Sequence, residues 1–447
     1  MTNEPSHAEA PSWDVVVIGG GPAGSTVATL LADAGHRVQL LEKARHPRFH
    51  IGESLLPANL RLFERLGVAD AVRAIGMYKG AAEFVSPQHG NRLERFRFAD
   101  AWDKSIPYAY QVRRSELDEI LLRNAARHGV DVVEGCQVSD VEFPEADDGA
   151  IVSAAHDDGR AYRCRARFVV DASGRDTLLA NRFGTKRRDT KHNSSALYAH
   201  FRGAQRHSGA DEGNISIYWF ERGWFWFIPL ADGATSVGAV VWPHYLKQRQ
   251  RGASIEAFFL ETIALCPPLA ERLASAELVT SVEATGNYSY TGEITHGRNF
   301  VLLGDAFAFV DPVFSSGVML AMQSGFIGAQ AVDVCLREPA RARAALAKFD
   351  RDVRHGPRTF SWFIYRMTSP AMRSLFMQPR NVFRVKEAVL SLLAGDIFGD
   401  TPIWLSLRLF KVIYYVSAAL DARNSLRAWK ARRRMLRQAD EPRTAAG

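Results

Sequence analysis

The sequence predicts an α/β protein: a parallel-sheet, Rossmann-like nucleotide-binding body, an inserted antiparallel sheet, and a helical C-terminal module. Three observations carry this expectation. The β-branched run Asp14-Val15-Val16-Val17-Ile18 leads directly into the glycine-rich turn Gly19-Gly20-Gly21-Pro22-Ala23-Gly24, the order a strand, tight turn and helix require. Aromatic and β-branched runs in the middle of the chain fit strands, and beyond about Arg354 apolar-rich segments with helical spacing take over. A chain of 447 residues is too long for one small core. The expected division is therefore a lead over residues 1–12, a body over 13–355 with its inserted sheet at about 76–112 and 187–290, and a helical module over 356–447.

Composition narrows the class. An apolar fraction of 47% and a charged fraction of 23% are ordinary for a globular enzyme. The polar lead reads as disordered and has no basic segment followed by an apolar one, so a cytoplasmic location is expected. Cys136, Cys164, Cys266 and Cys335 lie far apart. That spacing predicts buried thiols in a reducing compartment and no metal site. The net charge of +7 is concentrated in Arg423, Arg427, Lys430, Arg432, Arg433, Arg434 and Arg437. This run fits a solvated helix face, or a contact for an acidic protein or a peripheral anionic membrane; nothing else points to nucleic acid.

At the N-terminal turn, Gly19 permits the bend, Gly21 lets backbone approach a pyrophosphate, and Gly24 lets the helix beginning at Pro22 pack on the strand. Ala23 lies in the same turn. The run Arg37-Val38-Gln39-Leu40-Leu41 reads as the second strand, with Glu42 at its end to accept from ribose hydroxyls and Lys43 beside it. Val169-Val170-Asp171-Ala172-Ser173-Gly174-Arg175 and Phe300-Val301-Leu302-Leu303-Gly304-Asp305-Ala306 are apolar strands ending in turn residues. They resemble the segments that close over the nucleotide and ribityl chain in flavoproteins, and Arg114 stands where related flavoproteins carry an arginine. FAD is thus the expected cofactor. No second G-x-G-x-x-G follows another strand, so reduced flavin is expected from a separate reductase.

Four further landmarks are similar to those of the flavin-dependent halogenases and cover most of residues 13–330: Gly52-Glu53-Ser54-Leu55-Leu56-Pro57, Lys79 ahead of a strand, Trp224-Phe225-Trp226-Phe227-Ile228-Pro229, and Asp311-Pro312-Val313-Phe314-Ser315-Ser316-Gly317-Val318. The resemblance implies a glutathione-reductase/aromatic-hydroxylase type of FAD domain. It also implies FADH2, oxygen, and chloride or bromide as reactants. Lys79 would be the catalytic residue that receives the oxidised halogen. Ser54, Pro312, Gly317 and Val318 would border the flavin, with Ser316 and Gly317 holding halide at a helix N-terminus; a plain Ser-Gly cap is the alternative. Trp224 and Trp226 share one face of a strand, and with Phe314 would shape the cavity. Phe314 stands where the tryptophan-specific branch has glutamate, so the resemblance favours a phenol or pyrrole, often tethered to an acyl-carrier protein. A hydroxylating flavoenzyme or reductase, and a non-catalytic flavin-binding protein, are the rival expectations.

The runs Phe360-Ser361-Trp362-Phe363-Ile364-Tyr365 and Ile403-Trp404-Leu405-Ser406-Leu407-Arg408-Leu409-Phe410 read as helices that pack on the core, with a substrate groove or membrane contact as the alternative. Arg408 and Lys411 argue against a spanning helix.

Overall fold

The computed structural model describes residues 11–145, 149–189, 194–249, 252–286, 289–424, 426–428 and 430. Most of the predicted lead, and Arg432, Arg433, Arg434 and Arg437 of the basic run, lie outside the described residues. The body is a seven-stranded sheet whose parallel part contains Asp131–Glu134, Val38–Glu42, Ser12–Ile18, Ala161–Asp171 and Phe300–Leu302 in that spatial order. Ala161–Asp171 also pairs antiparallel with Ala150–His156, which pairs with Cys136–Glu142. Val15, Val16 and Val17 are fully buried, as expected of a strand covered on both faces.

The second sheet has eight strands and is mostly antiparallel. Its centre is Ser195–Arg202, Ala234–Val241, Gly223–Pro229, Ile215–Phe220 and Ala81–Ser86. Period-two alternation divides its aromatics cleanly. Phe225 and Phe227 enter one hydrophobic cluster with Phe259 and Leu269, whereas Trp219, Trp224 and Trp226 face another that includes Phe360, Phe376 and Phe410.

Helices Ala342–Ile364, Pro370–Met377, Val385–Leu393 and Trp404–Leu420 form a roof over the tryptophan face. The core-packing expectation therefore holds for the inward sides of these helices. The helix Ala342–Ile364 runs continuously through residue 355, so the expected boundary there falls inside a helix rather than in a linker. Leu405, Val412, Val416 and Leu420 leave an apolar stripe on the outside. Among the described residues one helix, Gly317–Arg337, is long and apolar enough to cross a membrane, and 56% of its apolar window is buried inside the fold. Cys136, Cys164 and Cys266 are buried free thiols and Cys335 is partly covered.

Candidate active site

A cavity of about 610 Å³ runs from the glycine-rich turn to the tryptophan face. At one end Gly19 has φ +99° and an added Cβ would lie 2.4 Å from Ala172 O, while a Cβ on Gly24 would lie 1.9 Å from Gly19 O. These two glycines serve the fold. Gly21 differs: its added Cβ would meet only Arg48 Nη2 at 3.7 Å, so the turn is open toward the cavity that Gly21, Pro22 and Ala23 line. Gly21 precedes the helix Pro22–Asp33, whose unpaired N–H groups favour an anion. Arg48 Nη1 is buried without a hydrogen bond, 3.2 Å from Asp118. An open glycine turn, a helix N-terminus and the Arg48 guanidinium beside them together fit a dinucleotide pyrophosphate.

Glu42 also lines the cavity, but its carboxylate already accepts from Gly20 N at 2.6 Å and Ala44 N at 2.8 Å. It organises the turn while keeping a lone pair on each oxygen for ribose. Lys43 borders the cavity and pairs with Asp176. Arg114 is buried and donates to Asp118 at 2.8 and 3.0 Å and to Ile51 O at 3.1 Å. Its neighbour Asp305 lines the cavity and is partly covered; desolvation raises its carboxyl to about 6, and Arg114 and Arg175 limit the rise.

Lys79 owes its position to backbone pairing. Strand Met77–Lys79 pairs with Ala109–Gln111, and the segment after Gly52 lies alongside through Leu55 N to Tyr110 O at 3.0 Å and Val112 N to Glu53 O at 2.8 Å. This brings Ser54 beside the lysine. Lys79 Nζ donates to Ser54 Oγ at 2.9 Å and Leu55 O at 2.8 Å and lies 5.3 Å from the Phe98 ring centroid. Its residue is 1% exposed. Every one of these partners is neutral, and burial lowers the amine to about 7. Lys79 does not itself line the large cavity, whereas Ser54 does; the lysine is enclosed behind the segment that follows Gly52.

Trp224 and Trp226 line the cavity as the sequence predicts, 6.0 Å apart between ring centroids. Gly238 makes room for Trp226: a Cβ there would lie 2.2 Å from the indole. Pro312, Ser315, Gly317 and Val318 form the wall at the start of Gly317–Arg337. Ser315 adopts φ +56°, an uncommon conformation for a non-glycine residue. Ser316 makes no side-chain cap and lines a separate cavity of about 50 Å³, which Gly317 shares. Ser316 and Gly317 thus meet in the small cavity, and of the two only Gly317 also reaches the large one. Phe314 corrects the sequence expectation. It is 3% exposed, its ring lies 6.3 Å from Phe360, and it packs under the roof instead of lining either cavity.

Several cavity residues escaped the sequence reading. Phe49 stacks at the wall with Tyr198 and meets His200 edge-on. His200 Nε2 lies 2.9 and 3.1 Å from the two oxygens of Glu53, in a pair almost wholly buried. Only the strand alternation of Ser195–Arg202 could have marked Tyr198 and His200 as facing one side. Burial beside Arg114 lowers the His50 imidazole to about 4.

The fold and this cradle define an FAD-dependent oxidoreductase, and the FAD binding domain family (FAD_binding_3) matches residues 12–353. The relatives narrow the class. A tryptophan 2-halogenase of Chondromyces crocatus is 38% identical over 72% of this chain, which spans 61% of that relative's length. A 1H-pyrrole-2-carbonyl-[peptidyl-carrier protein] chlorinase of Pseudomonas fluorescens is 31% identical over 87% of this chain and 90% of its own. The solved myxobacterial chondrochloren halogenase superposes with TM-score 0.76 at 35% identity, covering 91% of this chain and 97% of its own. The chain belongs to the flavin-dependent halogenases.

Proposed function

We propose that this protein halogenates an electron-rich aromatic, a phenol or pyrrole, in secondary-metabolite biosynthesis, with a separate reductase supplying reduced FAD. When bound and reduced, FAD supplies the electrons with which oxygen oxidises chloride or bromide to hypohalous acid. The observation that carries the reading is Lys79: a wholly buried amine that donates to Ser54 Oγ and Leu55 O and, among the described residues, pairs with no carboxylate. An amine lowered to about 7 has a substantial neutral fraction near neutral pH. Neutral, it has a lone pair to accept halogen; protonated, it donates a hydrogen bond to hypohalous acid. Trp224 and Trp226 fill the space between the cofactor end and the roof, keeping substrate apart from the flavin. The N–H groups opening Gly317–Arg337 are suited to halide.

The resemblance favours phenols and pyrroles, rings that need little acid–base help, because Phe314 stands in the sequence where the tryptophan-specific branch has glutamate. The pyrrole-carrier chlorinase among the relatives supports an acyl-carrier-protein-tethered ring. Product mass spectrometry tests the reading with reductase, NADH, FAD, oxygen, a halide, and phenols and pyrroles both free and carrier-loaded. The expected product carries the isotope pattern of whichever halide is added. A halide-independent gain of one oxygen atom would instead identify a hydroxylase.

A further inference from the structure

Beneath the roof, outside every motif above, a second cation is buried without a counter-ion among the described residues. Arg373, on the helix Pro370–Met377, is 8% exposed, and its Nε is covered and has no hydrogen-bond partner. Among the described residues its guanidinium forms no ion pair. What it meets is Trp219, whose ring centroid lies 5.7 Å from the guanidinium carbon. The indole Nε1 of Trp219 is likewise buried without an acceptor. Two orphaned donors from separate elements therefore meet at one place. Such groups are costly to leave unsatisfied, and a distant cation–π contact compensates a desolvated guanidinium only in part.

The surroundings place this pair at the substrate end. Trp219 stands directly across the sheet from Trp224, which lines the large cavity. Phe376, on the same helix as Arg373, packs against Phe84 and Phe96, and Phe84 stacks on Trp219. The orphaned donors thus border the same aromatic cluster as Trp224 and Trp226.

We propose that Arg373 and Trp219 form a carboxylate-binding site that anchors an aromatic acid for halogenation. The planar guanidinium matches two carboxylate oxygens, and an indole N–H supplies a further donor. Burial also lowers the guanidinium, to about 10, as expected where the partner anion arrives with a ligand. This deepens the halogenase reading, from which it takes the substrate, and selects a free aromatic acid over a carrier-tethered ring, whose carboxyl is consumed in the thioester; the binding site itself stands on the two orphaned donors.

Matched pairs test it in the FAD-loaded protein: 4-hydroxybenzoate against 4-hydroxybenzamide, and pyrrole-2-carboxylate against pyrrole-2-carboxamide, with affinities measured by calorimetry. In at least one pair the acid is expected to bind roughly tenfold or more tightly than its amide. Arg373→Gln should abolish that preference, Arg373→Lys should restore part of it, and Trp219→Phe should weaken the acid alone. Acids that bind no better than their amides, or a preference that survives in Arg373→Gln, overturn the proposal. The wild-type comparison decides the matter if the Arg373 variants do not fold. A carboxylate preference lost in Arg373→Gln, in a protein that halogenates nothing, supports the site while removing the halogenase reading. Halogenation of amides and acids alike, with equal affinity, does the reverse.

Discussion

The two ends of the site treat buried charge in opposite ways. At the nucleotide end two buried charges are matched: Arg114 is held by Asp118, and Glu42 by the Gly20 and Ala44 amides. Toward the substrate end Lys79 touches only neutral acceptors and Arg373 has no acceptor at all among the described residues. A matched charge is locked and serves as scaffold, because separating it leaves its partner buried alone. An unmatched one keeps its protonation or its binding capacity available for a reactant.

The largest effect expected from this contrast is at Lys79. Lys79→Ala should reduce single-turnover halogenation by roughly 10³-fold or more while leaving FAD affinity within about twofold, as read by product mass spectrometry and flavin titration. Loss of FAD binding would make the lysine scaffold and break the comparison. The folded amine titrates near 7 instead of its ordinary 10.5, so the unfolded chain binds more protons between those values. Stability should therefore rise with pH across that window. The slope should vanish in Lys79→Met.

Next comes the matched end. Arg114→Met leaves Asp118 buried with Arg48 as its remaining ion-pair partner among the described residues and should cost about 3–5 kcal/mol in urea unfolding; a cost under about 1 kcal/mol would show that the pair is not scaffold. Asp305 sharpens the contrast, being a carboxyl raised from 3.8 to about 6 by burial. The folded state holds its proton longer, so stability falls as pH rises from 3.8 to about 6, and the full penalty persists above that. Asp305→Asn should stabilise the apoprotein at pH 7.5 by about 1–3 kcal/mol yet weaken FAD binding; thermal melts with and without flavin separate the two. The smallest effect is expected at Trp226→Phe, which removes the indole donor to Ser236 Oγ and the ring edge that lies against Gly238, beside the open cavity. A change near 1 kcal/mol in melting is anticipated, and a much larger one would make Trp226 structural rather than a cavity wall.

Legibility followed locality. The turn from Gly19 to Gly24 could be read because strand, turn and helix are contiguous and each glycine answers a steric demand of the backbone. The facing of Trp224 and Trp226 could be read because strand alternation is fixed by geometry. Phe314 was misplaced because the same apolar side chain suits a cavity wall or a core, and only the approach of Phe360 decides between them. Ser316 was ambiguous for a related reason: a serine before a helix suits a cap or an ion site, and here it caps nothing.

By itself, then, the sequence determined the glycine-rich turn and the tryptophan strand, and it singled out the Gly52–Pro57 segment and Lys79, all of which lie in short contiguous segments. Tertiary structure decided what surrounds them. The pairing of the Gly52 loop with Ala109–Gln111 buries Lys79 against Ser54. Roof helices closing on the tryptophan face put Arg373 over Trp219. Protonation and binding capacity depend on desolvation and on which partners come close in space, and neither is a property of neighbouring residues in the chain.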